Sequence, residues 1–166
     1  MRQVTRVGEP SFVTAVTLFG LAETVRARER IRRAGAAGTG RGVPPLLCWL
    51  GIPVAHWVTS GLKAVFGRLR PYEQYPSLGI HQPGDLGASF PSGHAAAAFA
   101  LAAALGYRWP QWRPVWFLMA GLVGLSRVAL GMHWPSDVAA GAALGFLVVF
   151  GLAKLEKNLK REERGG

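Results

Sequence analysis

Cysteine is almost missing from this chain. Cys48 stands alone, so an intrachain disulfide is excluded, and so is a metal site built from thiolates. Charge is also scarce. Only 17% of the 166 residues are charged, half are hydrophobic, and the mean hydropathy is +0.22. That balance is too apolar for an ordinary soluble domain and fits a small membrane protein with one domain. Acidic residues are the scarcest charges, nine against nineteen Lys and Arg, for a formal net charge of +10. Residues 1–10 lack the basic start, apolar core and small-residue cleavage site of a signal peptide. Membrane insertion is therefore expected to rest on the apolar segments themselves.

The basic excess gathers in residues 26–41 and 154–164, each beside an apolar segment. Such tracts suit cytoplasmic flanks under the positive-inside rule. No nucleic-acid-binding motif accompanies the charge, so nucleic acid is not an expected partner.

Five apolar segments follow one another, at residues 11–25, 43–66, 91–107, 114–131 and 135–155. They predict an all-α fold, a polytopic membrane helix bundle with four to five spanning helices. Residues 1–42 are expected to form a short helix and a basic cytoplasmic link. Residues 43–155 form the core bundle, and 156–166 a charged cytoplasmic tail that frays. The first segment is short for a span and carries Thr14, Thr17 and Glu23, so it either crosses at a tilt or lies in the interface. In the second, Pro53 predicts a kink, and His56, Lys63 and Arg70 share a face if the helix runs on. His56 near mid-membrane reads as a neutral imidazole in a helix–helix hydrogen bond, with a functional role as the alternative. Residues 67–90 carry Pro71, Pro76 and Pro83 and read as an irregular polar loop, with His81 and Asp85 solvated. Gly141 and Gly145 predict close helix packing in the last segment.

Counting crossings from the basic link puts Lys63, Arg70, His94, Arg127, His133 and Asp137 at the same membrane face. The positive-inside rule makes that face non-cytoplasmic. The bilayer is thus an expected partner, and oligomeric state is left open.

The three polar clusters have a common chemistry. Lys63, Arg70 and Arg127 supply the cations that a phosphoryl group with several charged oxygens requires. Ser92 and Gly93 open a helix, where free amides and the dipole bind anions, and Gly93 lets the backbone come close. His94 stands beside that site as a proton donor. His133, with Asp137 four residues on to fix its tautomer, is a nucleophile candidate. Pro135 suits a helix start, placing Asp137 in the first turn. A plain interhelical loop with a structural His–Asp pair fits the last cluster equally well, and Lys63 and Arg70 could simply snorkel to headgroups. Three such clusters on one face of an apolar bundle favour chemistry.

These residues resemble the type 2 phosphatidic acid phosphatase superfamily. Its pattern is Lys-x6-Arg-Pro, then Pro-Ser-Gly-His, then Ser-Arg-x5-His-x3-Asp. All three parts stand here complete and in order, at residues 63–71, 91–94 and 126–137, and the resemblance covers about residues 43–155. It implies a metal-independent phosphatase, without a cofactor, that works through a phosphohistidine. By resemblance Lys63, Arg70 and Arg127 clamp the phosphate with Ser92 and Gly93 assisting. His94 is the acid for the leaving group, His133 the nucleophile and Asp137 its partner; Ser126 is given no chemical role. Membrane members commonly have six spanning helices, and five at most are readable here, as if the first were missing.

The expected substrate is a lipid phosphate or diphosphate, polyprenyl or glycerolipid, with a lean towards a polyprenyl carrier. Two other readings remain. One is a vanadium-dependent haloperoxidase, whose vanadate pocket resembles this one in soluble, larger proteins. The other is a non-catalytic membrane protein that binds anionic lipid.

Overall fold

The computed structural model describes residues 10–33, 45–76 and 87–165. His81 and Asp85 lie outside these. Among the described residues there is no strand. The helices are α1 (Pro10–Arg33), α2 (Leu46–Phe66), α3 (Pro71–Gln74), α4 (Gly93–Arg108), α5 (Arg113–Ala129) and α6 (Pro135–Gly165), with a short 3-10 turn at Pro110–Trp112 before α5.

Alanine decides the architecture. Eight alanines of α4 are buried, from Ala95 to Ala104, and α4 packs against α2, α5 and α6. Its small side chains let neighbouring backbones approach. The closest approach is with α6, as Gly141 and Gly145 predict. A Cβ at Gly141 would run into the Ser92 carbonyl, and one at Gly145 into the Ala96 carbonyl. On the other side, Ile52 and Val149 join the buried cluster, and Gly51 leaves room for Val149. Helix α1 docks on α2, where Gly20 faces the Trp49 indole and Trp49 Nε1 donates to Thr24 Oγ1 at 2.9 Å.

The outer faces are apolar. Leu18 and Phe19 of α1, Trp57 and Val65 of α2, Leu118 and Leu122 of α5, and Leu147 and Phe150 of α6 are all exposed. Among the described residues one helix, Pro135–Glu163, is long and apolar enough to cross a membrane. Helices α4 and α5 have 16 and 17 residues. At about 1.5 Å per residue each is shorter than a hydrocarbon core of roughly 30 Å.

Several expectations need correction. The first apolar segment, residues 11–25, is the start of a 24-residue helix whose basic end runs on to Arg33, longer than the short helix expected. Residues 156–165 are the last turns of α6, which continues to Gly165, and Glu156 ties that helix to the start of α2. The loop after α2 contains a helical turn, α3. Arg70 does not share the α2 face with His56 and Lys63, because α2 stops at Phe66. Nor does His56 Nδ1 make the expected helix–helix hydrogen bond; it is buried without a hydrogen-bond partner among the described residues.

Candidate active site

One end of the bundle collects the C-termini of α2 and α5 and the N-termini of α4 and α6. Lys63 lies partly buried in the last turn of α2. Gly67 then adopts φ 54°, and its N–H returns to the Lys63 carbonyl at 3.2 Å. This left-handed cap ends the helix and turns residues 68–70 across the bundle end. Arg70 caps α3, with its N–H on Glu73 Oε2 at 2.7 Å and Pro71 as the first helical residue. Its guanidinium turns inward and is 1% exposed. There Nε donates to the Gly87 carbonyl at 3.0 Å and Nη1 to the Met132 carbonyl at 3.3 Å. Arg70 thus binds together the loops that precede α4 and α6.

Ser92 caps α4 and is fully buried, its Oγ accepting from the Ala95 N–H at 3.4 Å. The Ser92 N–H donates to the Asp137 carbonyl at 3.0 Å, so this amide is engaged within the protein. Gly93 follows as the first residue of α4. A Cβ there would meet only Thr59 Oγ1, at an ordinary 3.6 Å. Packing therefore does not demand glycine at this position. His94, half-buried, sits in the same first turn.

The turn between α5 and α6 carries the third cluster. Arg127, also 1% exposed, is in the last turn of α5. Its carbonyl accepts the N–H groups of Met132 at 3.1 Å and His133 at 3.3 Å, and its Nη1 lies 3.7 Å from Met132 Sδ. Gly131, at φ 62°, closes the helix by donating to the Val128 carbonyl at 2.9 Å. The Ser126 hydroxyl bonds back to the Val123 carbonyl of its own helix at 2.6 Å. Pro135 starts α6 and Asp137 lies in its first turn, as the sequence suggests.

Asp137 is completely buried and heavily engaged. Its Oδ2 accepts the Trp134 N–H at 2.8 Å and the Ser89 hydroxyl; its Oδ1 accepts Arg68 Nη1 at 2.8 Å. His133 Nδ1 lies 3.7 Å from Oδ2, an electrostatic contact longer than a hydrogen bond. Burial pushes the His133 pKa down to about 4, with Arg70 and then Lys63 adding to the effect. Asp137 and the Ser89 backbone pull the other way. The imidazole is consequently neutral near pH 7 and holds a lone pair.

The structure therefore brings Arg70, Arg127, His133, Asp137 and Ser92 into one connected network, with Lys63 within electrostatic reach of His133. Gly93 and His94 follow Ser92 directly. Two members escaped sequence reasoning, Arg68 and Ser89. Each reaches Asp137 from a distant part of the chain, and neither carries a spacing signal. Among the described residues, no three His, Cys, Asp or Glu side chains group closely enough for a metal ion.

Comparison with known proteins converges on the same chain segment. The family model of the PAP2 superfamily matches residues 46–161. The lipid A 1-phosphatase of Porphyromonas gingivalis is 31% identical over 89% of this chain and 32% of its own length. The decaprenylphosphoryl-5-phosphoribose phosphatase of Mycobacterium tuberculosis is 37% identical over 62% of this chain and 56% of its own. The chain thus spans from a third to somewhat over half of these relatives. The crystal structure of a transmembrane PAP2-type phosphatidylglycerolphosphate phosphatase from Bacillus subtilis superposes with a TM-score of 0.65 at 25% identity, covering 97% of this chain and 75% of that one. With its match over residues 46–161 and its all-helical core, this chain belongs to the PAP2 superfamily.

Proposed function

We propose that this protein is a multi-pass membrane phosphatase that hydrolyses a lipid phosphate or diphosphate through a phosphohistidine on His133, without a metal, at the non-cytoplasmic face. The observation that carries the reading is the convergence of buried Arg70 and Arg127 with the neutral His133 and buried Asp137. Two buried cations beside a neutral imidazole suit a polyanion that accepts an electron pair at its centre. The apolar outer faces of α1, α2, α5 and α6 supply the membrane part of the argument, since exposed side chains of that size mark contact with lipid or partners.

The reaction has two steps. His133 Nε2, on the ring edge away from Asp137, attacks phosphorus in line, and the P–O bond to the lipid breaks. His94 gives its proton to the departing oxygen. Water then attacks phosphorus while His94 takes a proton from it; the P–N bond breaks with its electron pair returning to Nε2, releasing phosphate and restoring neutral His133. Lys63, Arg70 and Arg127 hold the equatorial oxygens through both steps. The Gly93 amide assists at the helix end; the Ser92 amide, engaged by Asp137, keeps the α4 and α6 N-termini together. Asp137 stabilises the positive charge that His133 carries once phosphorylated.

The substrate is set by the setting of the site at the end of an apolar bundle. A polyprenyl carrier phosphate or diphosphate is the first choice and a phosphatidate-type glycerolipid the second. Purified protein in detergent, with chelator present, is to be assayed for phosphate release from polyprenyl diphosphate, polyprenyl phosphate, phosphatidate and phosphatidylglycerol phosphate. Turnover of at least one of these, lost in His133→Ala, is expected. A His133→Ala variant that keeps the parental rate, or a requirement for added metal, would refute the mechanism.

A further inference from the structure

Arg68 lies two residues before Arg70, at one of the unspecified positions of the Lys-x6-Arg-Pro pattern, yet its side chain is bound to Asp137 directly and its backbone reaches the same carboxylate through Ser89. Its Nη1 donates to Asp137 Oδ1 and to Ser136 Oγ, each at 2.8 Å. Its carbonyl accepts the Ser89 N–H at 2.7 Å, and the Ser89 hydroxyl closes the ring on Asp137 Oδ2. The guanidinium also stacks over Trp134, 5.3 Å from the ring centroid. Trp134 is fixed in turn by Nε1 donating to the Leu69 carbonyl at 3.1 Å, with Tyr75 edge-on at 6.2 Å. Residues 68–69, Ser89 and the first turn of α6 therefore form one closed polar ring around the Asp137 carboxylate.

A completely buried carboxylate needs such partners, because an ion taken out of water is stable only when its lone pairs are satisfied and its charge is compensated. His133, at 3.7 Å, does not satisfy it. Arg68 does, as a cation in direct contact with that carboxylate. Its own side chain is 41% exposed, so it compensates a buried charge from the rim of the site.

We infer that Arg68 is a positioning residue for hydrolysis: through Asp137, and together with Ser89, it fixes the carboxylate beside His133 and sets how strongly that charge acts on the imidazole. This rests on the reading of His133 as the nucleophile. Arg68 offsets part of the carboxylate's charge, so its removal lets Asp137 hold a proton on His133 more strongly. That moves the acid limb to higher pH, while the loss of kcat at neutral pH comes from the carboxylate, no longer held beside His133, failing to orient the ring. The charged groups that act on His133 are Arg70, Lys63 of α2 and Asp137 itself, and His94 and Arg127 stand on the neighbouring helices α4 and α5. All are left intact by the substitution.

The test uses the full-length protein in detergent and whichever of the four panel lipids the parent turns over fastest. In Arg68→Gln, kcat is expected to fall about tenfold with KM changed less than twofold, and the acid limb of kcat/KM to move to higher pH. Arg68→Lys keeps the cation and is expected to retain at least half of kcat and the parental acid limb. In an Asp137→Asn background, Arg68→Gln is expected to add less than a twofold effect, because its route of action is gone. An Arg68→Gln loss confined to KM, equal losses in the Lys and Gln variants, or an undiminished effect in the Asp137→Asn background would each overturn the inference. Should Arg68→Gln fail to fold, Arg68→Lys decides alone: a tenfold loss there counts against it, retention of rate and limb for it. A silent His133→Ala would instead remove the underlying mechanism, so the two failures are distinguishable.

Discussion

The two ends of the bundle handle charge in opposite ways. At the end that carries His133, the arginines turn inward: Arg70 and Arg127 are each 1% exposed, and Asp137 is completely buried. At the other end the basic residues turn outward. Arg26 and Arg33 of α1 are mostly exposed and pair along their own helix with Glu23 and Glu29. A buried charge there, Glu156, is answered locally by Arg28 at 2.6 Å, by Lys160, and by the Leu47 N–H at 2.8 Å. That carboxylate stitches α1, the start of α2 and α6 together. The candidate site end instead gathers two buried guanidinium groups, Arg70 and Arg127, around one buried carboxylate, Asp137. Buried cations gathered in one place suit an anionic ligand, whereas a single carboxylate held by neighbouring donors suits a fastening.

The largest expected effect is at the site end. His133→Ala should lower phosphate release by about a thousandfold or more while the thermal midpoint in detergent stays near the parental value. Arg127→Met, which keeps volume and removes charge, should lower kcat/KM by roughly a hundredfold, the scale of losing one charge-stabilising donor. The pH profile of kcat/KM sharpens the contrast. Since His133 is held down to about 4, its protonation should produce an acid limb near that pH, well below the limb of an ordinary histidine near 6.5. The sign follows from the mechanism: attack requires the neutral ring, so activity is lost as pH falls through that value. An acid limb near 6.5 would show that burial beside Arg70 and Lys63 does not govern the nucleophile.

Away from the site, effects should fall on stability alone. Gly145→Val forces a side chain into the Ala96 carbonyl, and should lower stability by about 1–3 kcal/mol as α4 and α6 part. Glu156→Gln at the basic end should cost about 1 kcal/mol while kcat/KM stays within twofold. A loss of activity in Glu156→Gln larger than that in Arg127→Met would erase the distinction between the two ends.

Much of the site is legible in the sequence because its members fall within three short spans, where spacing and residue type together are informative. Gly141 and Gly145 are legible for the same reason, since small residues four apart mark a close helix contact. What spacing does not reveal is the support around Asp137. Arg68 and Ser89 lie 69 and 48 residues from it in sequence and meet it only through the fold. Likewise the Ser92 amide reads as an anion donor until α6 supplies the Asp137 carbonyl. The lengths of α1 and α6 were obscured by charge: both run through basic tracts that look like linker or tail, and Arg28, Glu156 and Lys160 hold them as helices through contacts no local pattern records.

The central claim is a covalent one, and trapping the intermediate tests it most directly. The protein in detergent is to be mixed with a lipid of the panel bearing a labelled phosphoryl group, quenched within milliseconds at alkaline pH and digested, and the label located by mass spectrometry. The account predicts a phosphoryl group on His133, stable to alkali and labile to acid, and absent in His133→Ala. Full turnover with the label on another residue, or with no protein-bound label while phosphate is released in a burst, would contradict it.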